Sequence, residues 1–400
     1  MRVTKKYLAP AILAVAALAL AGCARTAAEQ NPGSSSTNLA PVKVAIITSN
    51  TGALAGYGAE YTQGFKAGLD YATGGTGKVD GRALDISYVD DAGDSDKAVS
   101  AAKDAIGGGT QIIAGTASSG IALALAAQAA QNKILYISGP AAADAITGVN
   151  GYTFRSGRQT VQDVATAGTF LGDLTGKNIL VFAQDTAFGQ GNVAAVKAVL
   201  GVKGATVTSE LVPEGATEFT PFAQKIRDTK PDMVFVAWAG ATTGAMWQAL
   251  SQQGVFKTIP VVTGLGDIAS YGAYGQASEG ISFLNHYFGG AAGTAIEKTM
   301  IKYLDANKQK ADLFTPDGFV AAQMIVRAVK DGGGDDVAKM VKSLEGWSFD
   351  SVKGKLTVRA EDHALIQPMF QAKLKAAGGT YVPELIKIVD AKTVAPPVAK

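Results

Sequence analysis

The chain has 400 residues, of which 47% are hydrophobic and 48 are glycine, and its formal net charge is only +2. That balance suits an Ala/Gly-rich α/β globule and excludes a disordered chain. With no basic block and no aromatic-interleaved stripe, it also leaves nucleic acid without a footprint.

The chain opens with "MRVTKKYLAPAILAVAALALAGC": a basic start (Arg2, Lys5, Lys6), an apolar stretch from Leu8 to Leu20, then small residues. The stretch falls short of the roughly 20 apolar residues a spanning helix needs, so residues 1–23 read as an export signal. Leu20-Ala21-Gly22-Cys23 resembles the lipobox of bacterial lipoproteins, which implies that Cys23 is the lipidated first residue of the mature chain. More than one acyl chain on that residue suffices for stable attachment to the bilayer. Cys23 is the only cysteine, so no disulfide forms within the chain. Residues 24–41, rich in Ser, Pro, Asn and Ala, read as a flexible tether. The protein is therefore expected outside the cytoplasmic membrane, anchored to it by lipid.

From Val42 onward, short β-branched runs alternate with amphipathic stretches. "VKVAIIT" (42–48) precedes a helix over 57–72, "ALDISYV" (83–89) a helix over 96–106, and "QIIAG" (111–115) a helix after Ser119; "KILYIS" (133–138) follows. The pattern restarts with "NILVFAQ" (178–184), "ATVTSELV" (205–212), "DMVFVAW" (232–238) and "IPVVTG" (259–264), each followed by a further helical or loop segment. Strands that are apolar almost throughout belong to parallel sheets covered on both faces. Length after the leader favours two domains of about 150 residues each. The expected fold is α/β: two doubly wound parallel-sheet lobes joined by a multi-strand hinge. The last third supplies a strand at 280–288, a strong helix at 315–330 and a late strand at 367–376, too few pieces for a third unit. It must complete the other two, with crossings near Tyr152–Arg155, Ile281–Asn285 and Trp347–Gly354. This divides the chain into a first lobe of 42–154 plus 283–346 and a second of 155–282 plus 347–390, with 391–400 as a tail. Two lobes on such a hinge form a ligand trap.

In such sheets ligands bind at the carboxyl ends of strands, beside helix starts whose free N–H groups favour an anion. The cluster Gly115-Thr116-Ala117-Ser118-Ser119-Gly120 falls there, with Ser118 and Ser119 as extra donors. One serine is needed only as an N-cap; two, flanked by glycines, suit a ligand. Arg155 and Arg158 fall at the first crossing. Arg158, nearer the cleft, is the better partner for a carboxylate, and Arg155 suits a structural ion pair. In the second unit Asp185, Phe188, Trp238, Asp267 and Tyr271 follow strand ends.

Signs of catalysis are weak. Neither a Gly-x-Ser-x-Gly elbow nor a phosphate-binding Gly-x4-Gly-Lys loop occurs at the turn. Ser100-Ala101-Ala102-Lys103 is a chance match in mid-helix. His286 and His363 lack metal-ligand spacing and read as structural or surface residues. "DDAGDSD" (90–96) lacks the glycine and glutamate of a calcium loop in register and reads as a solvated loop capping the helix at Lys97. No cofactor and no metal is implied.

The stretches "ITSNTGALAGYGAEYTQGFKAGLDY", "YVDDAGDSDKAVSAAKDAI", "GTASSG", "LYISGPAAADAIT" and "FAQDTAFGQG", in this order and spacing, resemble the type I periplasmic solute-binding proteins. Within them the chain is most similar to the leucine/isoleucine/valine-binding group of ABC importers, over 42–390. The resemblance implies a small carboxylate-bearing ligand, an amino acid of branched-chain type or a related organic acid, with a membrane permease as partner and no turnover; one-to-one binding makes a monomer the default. It places the ligand carboxylate at Ser119 and the backbone of Ala117, with aromatic contacts from Tyr57 and Phe188. At the family's Ala-Thr position this chain has Ala141 and Ala142, so a hydroxyl is missing. The acid that receives an α-ammonium falls at Leu265, which leaves Asp267 or Asp185 to replace it. Ala239 stands where the family has a tyrosine, with Trp238 beside it. If neither aspartate reaches the pocket, an ammonium has no partner there, and the ligand becomes an amine-free acid shared by Arg158 and Ser119. A ligand-sensing receptor subunit and a tethered hydrolase are the alternative readings.

Overall fold

Every residue of Val42–Thr48 except Lys43 is buried. A strand covered on both faces needs neighbours to either side and helices above and below. The computed structural model describes residues 39–399 and supplies both. The leader, Cys23 and all but the end of the tether lie outside the described residues.

The first sheet has six strands, in the order Lys78–Val79, Arg82–Asp90, Val42–Thr48, Ile112–Gly115, Leu135–Ser138, Thr153–Arg155. All pairs are parallel except the short outermost one, and the register sets Ile46 between Tyr88 and Ala114. One face is packed by the helices Ala55–Thr73, Thr315–Gly332 and Val337–Leu344, where Phe65, Met324 and Met340 meet Val44 and Ile46. The other carries Ser95–Gly107 and Ser119–Asn132.

The second sheet has seven strands, in the order Thr380–Val389, Met369–Ala377, Ile281–Asn285, Val261–Gly264, Met233–Ala237, Asn178–Gln184, Thr206–Val212. The first two form an antiparallel hairpin, with Ala372 opposite Phe283. A two-residue link such as Gly378-Gly379 can add only an antiparallel neighbour, so both sheets are parallel within and antiparallel at one edge. Thr160–Ala167 and Ala187–Val199 cover one face; Thr220–Thr229 and Thr243–Gln252 cover the other.

Three segments cross between the sheets. After Arg155 the chain enters the helix Thr160–Ala167, whose Val164 and Ala167 lie in the second core. After Asn285 it returns, and Tyr287 packs with Ala67 and Phe319 of the first lobe. Residues 283–285, expected in the first lobe, therefore complete a strand of the second sheet. The third crossing is at Gln367–Pro368 rather than Trp347–Gly354. Ser348–Ser351, Gly354–Val358 and Leu365–Ile366 form a small sheet whose Phe349, Leu356, Val358 and Leu365 are buried in the first core. Residues 347–366 were expected in the second lobe. Apolar alternation marks a buried strand face but not which core it will meet. The tail is docked as well: Arg359 donates to Pro396 O at 2.6 Å and Pro397 O at 3.0 Å.

Opposite the hinge the lobes touch. Ala241 N donates to Ala53 O at 3.0 Å, and Gly240 N to the Tyr57 hydroxyl at 3.4 Å. Gly240 has φ +80°, and a Cβ there would lie 2.5 Å from Ala53 O. Nearby, Ile268 N donates to both carboxylate oxygens of Asp312, at 3.1 and 3.0 Å. No described helix is long and apolar enough to cross a membrane.

Candidate ligand-binding cleft

The carboxyl edges of the two sheets face each other across the closed gap, and the turn at Gly115–Gly120 lies on the first-lobe side. Gly115 has φ +116°, and a Cβ would stand 1.9 Å from Ile47 O, so no side chain fits there. Behind the turn, fully buried Asp91 accepts from Ser49 Oγ at 2.6 Å, from Gly93 N at 2.9 Å and from the Thr116 hydroxyl. It ties the ends of three neighbouring strands together. The acidic run 90–96 is thus only partly a solvated loop: Asp94 caps the next helix by accepting Lys97 N at 2.9 Å, while Asp91 is a buried clamp.

The two serines have different tasks. Ser118 is the N-cap of Ser119–Asn132, accepting Ile121 N at a long 3.5 Å. Ser119 is buried and accepts Ala143 N at 3.2 Å. Among the described residues nothing accepts its O–H, which is left to donate into the cleft.

Among the described residues Arg155 makes no ion pair. Fully buried, it donates to Ala143 O (3.1 Å), Ala141 O (2.6 Å) and Arg158 O (2.7 Å), fixing the loop after Ser138. Arg158 borders the cleft. Its Nη1 donates to Pro140 O at 2.7 Å, its Nε lies 3.2 Å from Asp163 Oδ2, and its guanidinium carbon is 5.5 Å from the centre of the Phe314 ring. Among the described residues no group accepts from its Nη2. Burial pushes the Asp163 carboxyl up to about 6, against the opposing pull of Arg158.

Aromatic side chains form the walls. Tyr57 meets Phe314 edge-on at 4.7 Å, and burial raises its phenol above the ordinary tyrosine range. Trp238 packs 5.2 Å from both Phe182 and Phe219, and its Nε1 donates to Thr242 Oγ1 at 3.0 Å. Phe188, at the start of Ala187–Val199, lines the cleft from the second lobe. The enclosed space is about 170 Å³, close to the roughly 150 Å³ in which an apolar cavity takes up one benzene ring.

Of the eleven residues assigned to ligand binding from the sequence, Tyr57, Ala117, Ser118, Ser119, Ala142, Arg158, Phe188 and Trp238 line this space. Three do not. Ala141 turns its carbonyl to Arg155. Asp185 is exposed and accepts from Gln190 Nε2 at 2.8 Å. Asp267 is half-buried outside the cleft, near Gly56, with its carboxyl pushed up by burial. Neither aspartate is among the residues that line the cleft, although the Asp267 carboxylate is near enough to Tyr57 to help raise its phenol. The acidic residues that do line the cleft are Asp163, held by Arg158, and Glu214, which is exposed. Sequence reading missed Asp163, Asn285, His286 and Phe314. His286 directly follows a strand end, which was the available signal. Phe314 comes from a distant loop and gave none. Among the described residues no cluster of His, Cys, Asp or Glu is placed to hold a metal ion.

Two α/β lobes that meet around an aromatic-walled cleft, with a serine-bearing helix start on one side, define a ligand-trapping protein. The family described as periplasmic binding protein matches residues 41–380, and the chain belongs to it, a family of extracytoplasmic substrate-binding proteins. It is 24% identical over 343 residues to Leu/Ile/Val-binding protein homolog 3 of Brucella melitensis, covering 84% of this chain and 92% of that one. It superposes on an ABC-type branched-chain amino acid transporter protein of Rhodopseudomonas palustris CGA009 with a TM-score of 0.74 and 32% identity, covering 89% and 99% of the two chains. A solute-binding protein of an ABC transporter from Rhodopseudomonas palustris BisB5, solved with 3,4-dihydroxybenzoic acid, gives a TM-score of 0.77 at 24% identity, covering 88% and 98%.

Proposed function

We propose that this protein is held outside the cytoplasmic membrane by lipid on Cys23, closes on one small carboxylate that has a flat apolar body and no amine, and delivers it to an ABC importer. The observation that carries this reading is the imbalance of the cleft. It offers an uncommitted Arg158 Nη2 and the Ser119 hydroxyl to an anion, but its buried acid, Asp163, is already taken by Arg158. An α-ammonium enclosed without a counter-charge costs several kcal/mol, whereas a carboxylate meets charge-assisted donors. Tyr57, Phe188, Trp238 and Phe314 suit a planar ring. The volume suits one ring, and the dihydroxybenzoate-bound relative supports aromatic acids as the first class to try.

A branched-chain amino acid is the second reading. It is favoured by the names of the relatives and by Glu214 at the edge of the cleft. A thermal-shift panel on residues 24–400, refolded to strip any carried ligand, separates the two. Stabilisation by benzoates and not by leucine, isoleucine or valine supports the amine-free reading. The reverse result gives Glu214 the ammonium.

A further inference from the structure

His286 follows the last residue of the strand Ile281–Asn285 and lines the cleft, its ring tilted 5.2 Å from Phe314. Arg158 borders the same phenylalanine at 5.5 Å. Both groups are therefore within reach of a single-ring ligand.

Behind His286 lies Asp317, in the first turn of Thr315–Gly332 and fully buried. Neither of its carboxylate oxygens accepts a hydrogen bond among the described residues, and Oδ1 stands 3.5 Å from His286 Nε2. A carboxylate is acceptor-only, so at 3.5 Å it favours the ring's proton on the imidazole nitrogen that faces it. Desolvation, aided by nearby Arg158 and Lys353 and opposed by Asp317, pushes the imidazole down to about 4. The neutral ring carries one proton. Nε2 is buried, while Nδ1 accepts no hydrogen bond among the described residues and, in a residue that lines the cleft, is the lone pair left for a ligand.

We infer that His286 makes the cleft selective for carboxylates that also carry a hydroxyl donor, accepted at Nδ1, with Asp317 as the positioning residue that fixes the tautomer. The inference rests on the carboxylate reading of the cleft. A bare lone pair facing an enclosed ligand that lacks a donor is an unmet acceptor, and sites built that way discriminate strongly against the analogue without the hydroxyl.

The test is calorimetry with benzoate and its 2-, 3- and 4-hydroxy isomers against the wild type, His286→Leu and His286→Gln. At least one isomer is expected to bind the wild type about tenfold more tightly than benzoate. His286→Leu should bring that isomer to within about twofold of benzoate, and His286→Gln, which keeps an acceptor, should retain the preference. Benzoate binding with no isomer preferred, or a preference that survives His286→Leu, overturns the assignment and leaves the carboxylate reading standing. No binding by any of the four acids overturns both. Independently of folding in the variants, nitrogen-15 correlation spectra of the wild type at pH 7 should show His286 as the Nε2–H tautomer. An Nδ1–H tautomer contradicts the inference.

Discussion

Arg158 Nε lies 3.2 Å from Asp163 Oδ2 with both side chains about nine-tenths buried, so the cation offered to the ligand is already half-committed to the protein's own carboxylate. A bound anion and Asp163 compete for one guanidinium. Asp163, raised to about 6 by burial, sets the pH at which that competition ends. Above about 6 it is ionised and shares Arg158. Below about 6 it is neutral and Arg158 is free for the ligand. Affinity for a benzoate should therefore rise as pH falls from 7.5 to 5, and Asp163→Asn should raise affinity at pH 7.5 by about tenfold, equivalent to ~1.4 kcal/mol, and flatten the profile. Calorimetry across that range checks both. For stability the sign is the opposite of the usual carboxylate. A raised folded-state value means the contribution is present at low pH and is lost as pH rises through about 6.

The serines of the turn separate by assay. Ser119→Ala removes the hydroxyl that donates into the cleft and should weaken binding by about 1–3 kcal/mol. Ser118→Ala removes an N-cap held at 3.5 Å and should cost ~1 kcal/mol of stability or less while leaving Kd within about twofold. Paired Kd and Tm measurements on the two variants check this. Equal effects on Kd would return both serines to one role.

Asp185→Asn and Asp267→Asn should leave ligand affinity within about twofold, because Asp185 is bonded to Gln190 at the surface and Asp267 lies outside the cleft. A tenfold loss in either, measured with any ligand the thermal-shift panel finds, would bring that carboxylate back into the pocket.

Gly240→Ala tests closure. Its Cβ would lie 2.5 Å from Ala53 O, across the gap between lobes, so the clash exists only when they meet. Positive φ adds ~1 kcal/mol or more of strain in either state. The expected result is a Kd raised about tenfold or more, a Tm lowered only slightly, and a radius of gyration with saturating ligand that stays larger than the wild type's.

Parallel strands and the turn at Gly115 were legible because both-face burial leaves continuous apolar runs and because helix starts at strand ends collect anions. Three things were not. Phe349, Leu356 and Val358 alternate as any half-buried strand does, and only the packed molecule shows that they face the first core. Asp91 sits in an acidic run whose other members are solvated, so its clamp on Ser49 and Thr116 is invisible until three loops converge. His286 and Phe314 meet Arg158 through a return crossing that periodicity does not locate. Asp267 and Asp185 follow strand ends without lining the cleft, because sequence adjacency to a strand end does not say which way the next turn points.

A cleft that holds a carboxylate and has no place for an ammonium must tell acids from amino acids. The most direct test is calorimetry on matched pairs that differ only by the α-amine: 4-methylpentanoate against leucine, and 3-phenylpropanoate against phenylalanine. The amine-free member of each pair is expected to bind more tightly, by about 2 kcal/mol or more, the scale of an unmet buried charge. Tighter binding by the amino acids in both pairs would contradict it.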